Sequence, residues 1–418
     1  MKIVLLAGGK GKRLWPASTD EIPKQFLKIY GNDTMIEKTY NDLCSLYDKN
    51  DIYIATNREY QKILEKLLPG FDNYIIEPKS RGTYSAVLNI GAYLKYEKNV
   101  LDDELICIIP IDSNVEKDFF KIFKDVEKKY NEYPSICLVG IKPNSVSCGY
   151  GYIVHDEEKV ISFKEKPNYE EALKLINKGA LWNSGIFMVR LTKLSSLIEK
   201  YNIKDYKEFI YKFLDIPRGS FDIKVLEKEK ELFVITSDYE WSDIGVWNNL
   251  SSLISESDDY NTNIINYENK KIINDGVKNI ILINSGNGIR ILNKNNDNFC
   301  LKRWGSYEIL NNYSGESSIK IKKLNFLPQK NISYQYHNNR NEEWFILNGI
   351  GEVIIDGVKK EVKSGDKISI KIGEKHSIRS FTNLEVIEIQ YGSVCEEEDI
   401  IRLEDDWNII INKFVNEV

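Results

Sequence analysis

The chain opens on a short apolar run, Ile3 to Ala7, that breaks into G-G-K-G-K-R-L-W-P at Gly8 to Pro16. Short runs of this kind recur to about residue 255 and alternate with stretches of helical spacing. Ile3–Leu6, Ile52–Thr56, Tyr74–Ile76, Leu105–Ile109 and Ile136–Val139 predict strands, and Arg58–Leu68, Thr83–Tyr96 and Lys117–Tyr130 predict helices between them. That alternation predicts an α/β domain over residues 1–255 built on a doubly wound open sheet. Ligands of such sheets gather at the carboxyl ends of the strands, where the glycine run, Glu77-Pro78 and Pro110-x-Asp112 all fall.

The texture changes at residues 256–298 to short Ile-rich pieces cut by Asn, Asp and Gly, which predicts a small β-rich linker, solenoid or sheet. From 299 to 418 strand-like runs alternate with Gly, Asn and Asp turns, the pattern of an all-β sandwich or jelly-roll barrel, with Asp405–Val418 closing it as a helix or tail.

Composition narrows the classes. The 418 residues suffice for roughly two to three domains, 42% are hydrophobic and 29% charged, and the net charge is −6. An acidic balance disfavours a nucleic-acid or anionic-membrane partner, so the basic residues of the first loop are local tools for a small anionic substrate. No run reaches the ~18 apolar residues of a membrane span, and six cysteines lack C-x-x-C spacing, which together predict a cytoplasmic protein with reduced thiols.

The candidate chemistry begins in the first loop. Gly8, Gly9 and Gly11 let backbone N–H groups approach a phosphate, and Lys12, Arg13 and Lys24 (in P-K-Q-F) supply the positive charge. The run lacks the Gly-Lys-Ser/Thr ending of a P-loop and the G-x-G-x-x-G spacing of a dinucleotide fold. Asp112, in I-I-P-I-D, and Asp243, in W-S-D-I-G-V-W, are carboxylates from separate loops suited to Mg²⁺ in nucleotidyl transfer. In F-K-E-K-P, Glu165 and Lys166 are expected on opposite faces of a strand or strand end. In L-W-N-S-G-I-F, Asn183 begins a polar interruption fit for a buried sugar-binding strand.

Taken in order, L-A-G-G-K-G-K-R-L-W-P, P-K-Q-F, G-I-K-P with G-Y-G-Y-I, F-K-E-K-P, L-W-N-S-G-I-F, W-S-D-I-G-V-W and R-W-G-S-Y-E resemble the mannose-1-phosphate guanylyltransferase family over nearly the whole chain. The likeness is to the longer form, whose C-terminal cupin is similar to type II phosphomannose isomerase. It implies that Gly8, Gly9, Gly11, Lys12 and Arg13 cradle GTP with Lys24 on phosphate, and that Asp112 and Asp243 hold Mg²⁺. It also implies that Lys166 neutralises the sugar phosphate while Glu165, Asn183 and Gly149 line the sugar. Where relatives read E-P-x-x-R-N-T-A-P-A, this chain reads E-P-K-S-R-G-T-Y-S-A. Glu77 and Arg81 persist for the nucleotide, but Gly82, Tyr84 and Ser85 differ, and a bulky ring is expected near the base and ribose. Another nucleotide or sugar-1-phosphate, or a non-catalytic nucleotide-sugar sensor, therefore stays open, as does a homo-oligomer.

The chain holds three histidines, His155, His337 and His376. Gln335 and His337 alternate onto one strand face in Q-Y-H-N-N-R-N-E-E-W, Glu342 follows, and His376 comes from a later strand. These four donors suit Zn²⁺, Mn²⁺, Co²⁺ or Fe²⁺. Isomerase relatives read Q-x-H-H-H-R-x-E-H-W, so Asn338, Asn339 and Glu343 replace flanking histidines expected to tune the site or contact substrate. The resemblance also gives Arg402 a sugar-phosphate to hold. His155 reads as an ordinary strand residue.

Overall fold

In the computed structural model of the chain, the residues described are 1–9, 14, 18, 23–30, 33–129, 136–244, 263–266, 280–285, 288–293, 298–313, 317–395 and 399–415. They fall into two units, one over Met1–Gly11 and Thr19–Ile254, the other over Lys12–Ser18 and Ser255–Val418.

The first unit is built on a nine-stranded sheet. Its parallel half comprises β1 (Lys2–Leu6), β4 (Ile52–Thr56), β5 (Tyr74–Ile76) and β6 (Leu105–Pro110), in the order β5-β4-β1-β6. The short hairpin β2 (Lys28–Tyr30) and β3 (Asp33–Thr34) lies outside that sheet. Alternate residues of each strand feed separate cores, Ile3, Leu5, Ile52, Ile54, Cys107 and Ile109 in one, and Val4, Tyr53, Ala55, Ile106 and Ile108 in the other. That period of two explains the continuous apolar runs, since a sheet covered on both faces has no polar side to show. The helices Arg58–Leu67 and Thr83–Ala92 follow the sequence pattern, the second running on through a π turn at Tyr93–Glu97.

The other half of the sheet is mixed. β8 (Ile136–Ile141) and β12 (Leu232–Ser237) are parallel to each other, whereas β11 (Leu181–Arg190) runs antiparallel to both β6 and β8. β9 (Tyr152–Asp156) and β10 (Lys159–Lys164) form an antiparallel pair at the edge, with His155 inside β9. Beyond the sheet, β7 (Ser113–Val115) pairs antiparallel with β13 (Trp241–Asp243).

In the second unit, β14 (Asn263–Asn266), β15 (Ile280–Ser285) and β16 (Gly288–Asn293) make a three-stranded sheet within the region expected to be β-rich. The barrel follows as two antiparallel sheets. One holds β17 (Phe299–Lys302), β18 (Gly305–Tyr313), β19 (Ser318–Phe326), β26 (Leu384–Gly392), β21 (Arg340–Asn348) and β24 (Lys367–Ile370) in that order. The other holds β23 (Val358–Lys363), β22 (Ile350–Ile355), β25 (His376–Ser380), β20 (Tyr334–His337) and β27 (Ile400–Glu404). Their facing sides share a core of Leu324, Phe326, Trp344, Ile346, Val353, Val362, Ile378 and Val386, which makes a jelly-roll sandwich. The closing helix Trp407–Phe414 is capped by Asp406 and buries Trp407 and Ile410 against Tyr334 and Ile354. No helix among the described residues is long and apolar enough to cross a membrane.

Candidate functional site

At the carboxyl edge of the parallel strands the backbone leaves β1 at Ala7, β5 at Glu77 and β6 at Ile111, one residue before Asp112. Ala7 is tied down by its own N–H to Ala55 O at 2.8 Å and by Gln25 Nε2, which donates to Ala7 O at 2.8 Å. This fixes where Gly8 and Gly9 begin, and a Cβ added to Gly8 would stand 3.7 Å from Glu77 Oε2. Gly11, Lys12 and Arg13 lie outside the described residues.

P-K-Q-F forms a tight 3₁₀ turn, Lys24–Phe26, that buries all three side chains. The buried Lys24 ammonium lies 3.3 Å from Asp112 Oδ2 and 3.6 Å from Asp243 Oδ1. The β7–β13 pairing brings the carboxylates together by setting Asp243 opposite Ser113, and Ile244 N donates to Asp112 O at 2.8 Å. Two carboxylates from distant loops thus converge on one positive charge. Hard oxygen donors arranged in this way could hold Mg²⁺.

Glu77 is buried, and burial pushes its pKa up to about 7, while Ser85 and Arg81 oppose that rise. Ser85 Oγ donates to Glu77 Oε1 at 3.3 Å and to Gly82 O at 3.0 Å. Arg81 Nη2 donates to Ile216 O at 2.9 Å. Gly82 caps the following helix at φ +99° and ψ 171°, and a Cβ there would meet Gly219 O at 2.5 Å. Tyr84 corrects an expectation. Its ring is turned into the core of the unit, with its hydroxyl 3.2 Å from Tyr201 Oη and Lys224 over its face, so the bulk enters packing rather than the nucleotide end.

The residues expected on the sugar side lie around β11. Asn183 is held from both ends, its Nδ2 donating to Asp222 Oδ1 at 3.0 Å and its Oδ1 accepting from Gly185 N at 3.1 Å. Gly185 has φ +77°, in the stretch where the β11–β8 register shifts. Glu165 and Lys166 do not alternate across a strand. They lie past the end of β10, where Lys166 takes φ +46° and its Nζ comes within 3.2 Å of Glu165 Oε1, so the two charges face each other. Burial first, then Asp222, raises the Glu165 pKa, and Lys166 opposes this. A Cβ on Gly151 would stand 2.7 Å from Glu165 Oε2 and 3.3 Å from Asn183 Cβ, so that glycine is the space the carboxylate uses. Gly149 sits in the adjoining loop, where its N–H donates to Ser147 Oγ at 3.2 Å. Tyr150, next in sequence, makes edge contacts with Trp182 and Trp241 at 4.9 and 5.4 Å between ring centres. That aromatic group links the neighbours of Gly149, Asn183 and Asp243.

Asp222 and Glu227, whose Oε1 accepts from Glu165 N at 3.1 Å, escape a sequence reading. Ser220-x-Asp222 carries only a helix-cap signal, and nothing in the chain ties it to Asn183.

In the barrel, His337, Glu342 and His376 are each buried and place one donor atom apiece within 4.8 Å of one another. Gln335 lies opposite His376 across β20–β25, and opposite Arg402 across β20–β27. Directly opposed residues share a sheet face, which puts Gln335 and the exposed Arg402 beside the histidines. Glu342 accepts from Arg340 Nε at 3.0 Å, Trp344 Nε1 at 3.1 Å and Gln390 Nε2 at 3.1 Å. Burial works to raise its pKa, but His337, His376 and Arg340 outweigh this and hold it well below the usual carboxylate range. His376 Nδ1 lies 2.9 Å from Glu374 O, which selects the tautomer with a lone pair on Nε2. Burial pushes the His376 pKa down to about 4, so the ring is neutral at pH 7. His337 Nδ1 and Nε2 and His376 Nε2 are buried with no hydrogen-bond partner among the described residues, Nε2 of His337 lying near Glu342 without hydrogen-bond alignment. Unpartnered imidazole nitrogens beside a fixed carboxylate fit a divalent transition metal.

The replaced flanking residues have other tasks. Asn338 N and Asn339 N donate to Asp399 at 3.2 Å each, and Asn339 Nδ2 does so at 2.7 Å. Glu343 alternates away from Glu342 and pairs with Lys367 and Ser369. None of these contacts reaches His337, Glu342 or His376, in keeping with the loss of the relatives' flanking histidines.

Residues 2–263 match the family model described as Nucleotidyl transferase, and residues 292–405 match Mannose-6-phosphate isomerase C-terminal. Proteins named mannose-1-phosphate guanylyltransferase from Klebsiella pneumoniae and Escherichia coli are each 28% identical over 97% of this chain and 98% of their own length. A solved structure described as mannose-1-phosphate geranyltransferase from Thermus thermophilus shares the fold at a TM-score of 0.61, with 23% identity over 70% of this chain and 95% of that one. With its strand-edge loops, opposed carboxylates and a second unit of the isomerase type, the chain belongs to the nucleotidyl transferase family and is a nucleotidyltransferase.

Proposed function

We propose that the first unit transfers the guanylyl group of GTP to mannose-1-phosphate, giving GDP-mannose and pyrophosphate. The convergence of Asp112, Asp243 and Lys24 at the strand edge carries the reading. The names of the full-length relatives support the choice of substrates. The reaction is in-line attack by the sugar-1-phosphate oxygen on the α-phosphorus, with pyrophosphate leaving and no covalent enzyme intermediate. Gly8, Gly9, Gly11, Lys12 and Arg13 cradle the triphosphate, and Glu77 and Arg81 flank the nucleoside. Lys24 and Lys166 cancel repulsion between the two polyanions, and Asn183, Glu165 and Gly149 orient the sugar. Mg²⁺ held by Asp112 and Asp243 would supply further charge neutralisation on the phosphates.

Pyrophosphate release, screened with four nucleoside triphosphates against mannose-, glucose- and heptose-1-phosphate, tests the reading. GTP with mannose-1-phosphate is expected to be the best pair, and Lys24→Met, Asp112→Asn and Asp243→Asn each to lower kcat by roughly 10²–10³-fold. No release from that pair overturns the substrate assignment. Tight GDP-mannose binding without turnover on any pair would make the unit a sensor.

The buried His337, Glu342 and His376 favour a second activity, interconversion of mannose-6-phosphate and fructose-6-phosphate in the barrel. A proton moves between C1 and C2 through an enediol, with Gln335 completing the metal donors and Arg402 on the phosphate. The bound ion, Zn²⁺, Mn²⁺, Co²⁺ or Fe²⁺, would polarise the sugar oxygens. A coupled isomerase assay with elemental analysis of the purified chain decides this reading.

A further inference from the structure

The inner face of the six-stranded sheet changes character partway along its strands. On β19 the inward residues are Lys320, Lys322, Leu324 and Phe326, on β26 Gln390, Glu388, Val386 and Leu384, and on β21 Arg340, Glu342, Trp344 and Ile346. The register aligns these rows. Lys320 lies opposite Gln390, which lies opposite Glu342, and the next row runs Lys322, Glu388, Trp344. One end of this face is therefore an apolar core, and the other is a buried ionic cluster that includes Glu342.

Lys320 and Lys322 are each only 5% exposed, and Glu388 is 6% exposed. Lys322 Nζ lies 3.7 Å from Glu388 Oε1 and 4.8 Å from the centre of the Tyr307 ring. Gln390 Nε2 donates to Glu388 Oε1 at 2.8 Å and to Glu342 Oε1 at 3.1 Å, so the lysine end is physically coupled to the metal-facing carboxylate. Burying ammonium groups costs several kcal/mol each before pairing, and a merely structural core would continue the Leu and Val rows. The lysines, with Arg340, are matched by Glu342, Glu388 and Asp399, and a divalent cation at the donors adds positive charge that an anionic ligand would offset.

We propose that Lys320 and Lys322 form a buried anion subsite of the barrel. It takes the phosphate of a phosphorylated sugar whose hydroxyl groups turn to His337, Glu342 and His376. Arg402 contributes a cation from the exposed rim of the other sheet, and the lysines contribute the desolvated charge. This rests on the reading of the barrel as a sugar-phosphate site and adds the residues that select an anionic over a neutral sugar.

The test is calorimetric titration of the full-length, Co²⁺-loaded chain with fructose-6-phosphate, inorganic phosphate and neutral fructose, in wild type, Lys320→Met, Lys322→Met, Lys322→Arg and Arg402→Met. Both Met substitutions at the lysines are expected to weaken fructose-6-phosphate and phosphate at least tenfold at unchanged cobalt content. Lys322→Arg is expected to stay within about threefold of wild type, and fructose binding to be the same throughout. As a check that needs no variant to fold, wild type should bind fructose-6-phosphate at least tenfold more tightly than neutral fructose. Lysine-dependent binding of phosphate without fructose-6-phosphate would keep the anion subsite and remove the sugar-phosphate reading. Loss confined to Arg402→Met, equal affinity of wild type for fructose-6-phosphate and fructose, or failure of wild type to bind either anion overturns the subsite.

Discussion

Asn183 Nδ2 donates to Asp222 Oδ1 at 3.0 Å, which pins an amide on β11 to a short helix reached only 39 residues later. Because Gly185 N holds the other end of that amide, Asp222 sets its orientation. Asp222→Ala should raise the KM for the sugar-1-phosphate roughly tenfold, the worth of a well-placed hydrogen bond, with the KM for the nucleotide unchanged. Asp222→Asn keeps an acceptor and should remain close to wild type. Equal losses toward both substrates would show general disruption instead.

Glu77 makes stability depend on pH in an unusual direction. Burial raises its folded pKa to about 7 from an ordinary 4.5, so between those values the folded chain holds a proton that the unfolded chain has released. Its contribution is fully present below about pH 4.5 and is lost as pH rises through 7. Glu77→Gln should remove that loss, gaining on wild type between pH 4.5 and 8 by at most about 3 kcal/mol in denaturant unfolding. A difference that does not vary with pH would contradict the buried, protonated carboxyl.

Restoring the relatives' asparagine at position 82 should harm the protein. At φ +99° and ψ 171° Gly82 occupies a region essentially closed to other residues, and its missing Cβ is the space filled by Gly219 O. Gly82→Asn and Gly82→Ala should both cost about 2 kcal/mol or more in urea unfolding, because the penalty comes from the backbone and the Cβ. If Asn were tolerated and Ala were not, a side-chain contact would be at stake instead.

These residues show where the sequence was legible and where it was not. Short apolar runs read as strands because the sheet is covered on both faces, and Ile52–Thr56 and Tyr74–Ile76 coincide with β4 and β5. The antiparallel insertion of β11 was hidden, since a fully buried strand looks the same in either direction. Asp112 stood out just past a strand end and Asp243 as a second carboxylate in W-S-D-I-G-V-W, whereas Asp222 and Glu227 did not, because a carboxylate that orients another side chain across the fold leaves no local pattern. Lys166 misled for a related reason. Alternation holds only inside a strand, and β10 stops at Lys164. Lys320 and Lys322 carry no local signal of their own, and only the register across three strands reveals their company.

The barrel's unpartnered imidazole nitrogens lead to a prediction about folding as well as activity. His337 and His376 bury nitrogens that no described protein group satisfies, a cost that a bound ion would offset. Chelation should therefore lower the melting temperature of the full-length chain, and Zn²⁺, Mn²⁺, Co²⁺ or Fe²⁺ should restore it. An ion present at 100 times its Kd contributes about 2.7 kcal/mol. His337→Ala and His376→Ala should each reduce metal content by elemental analysis from about one ion per chain to below a tenth and abolish the metal-dependent shift. In Glu342→Gln, Arg340 loses the nearer of its carboxylate partners and keeps Asp399 at 3.8 Å, so that variant should lose metal and also be less stable than the metal-free wild type. Were chelation without effect on wild type while the histidine variants melted lower, the cluster would be a structural one held by Glu342 alone.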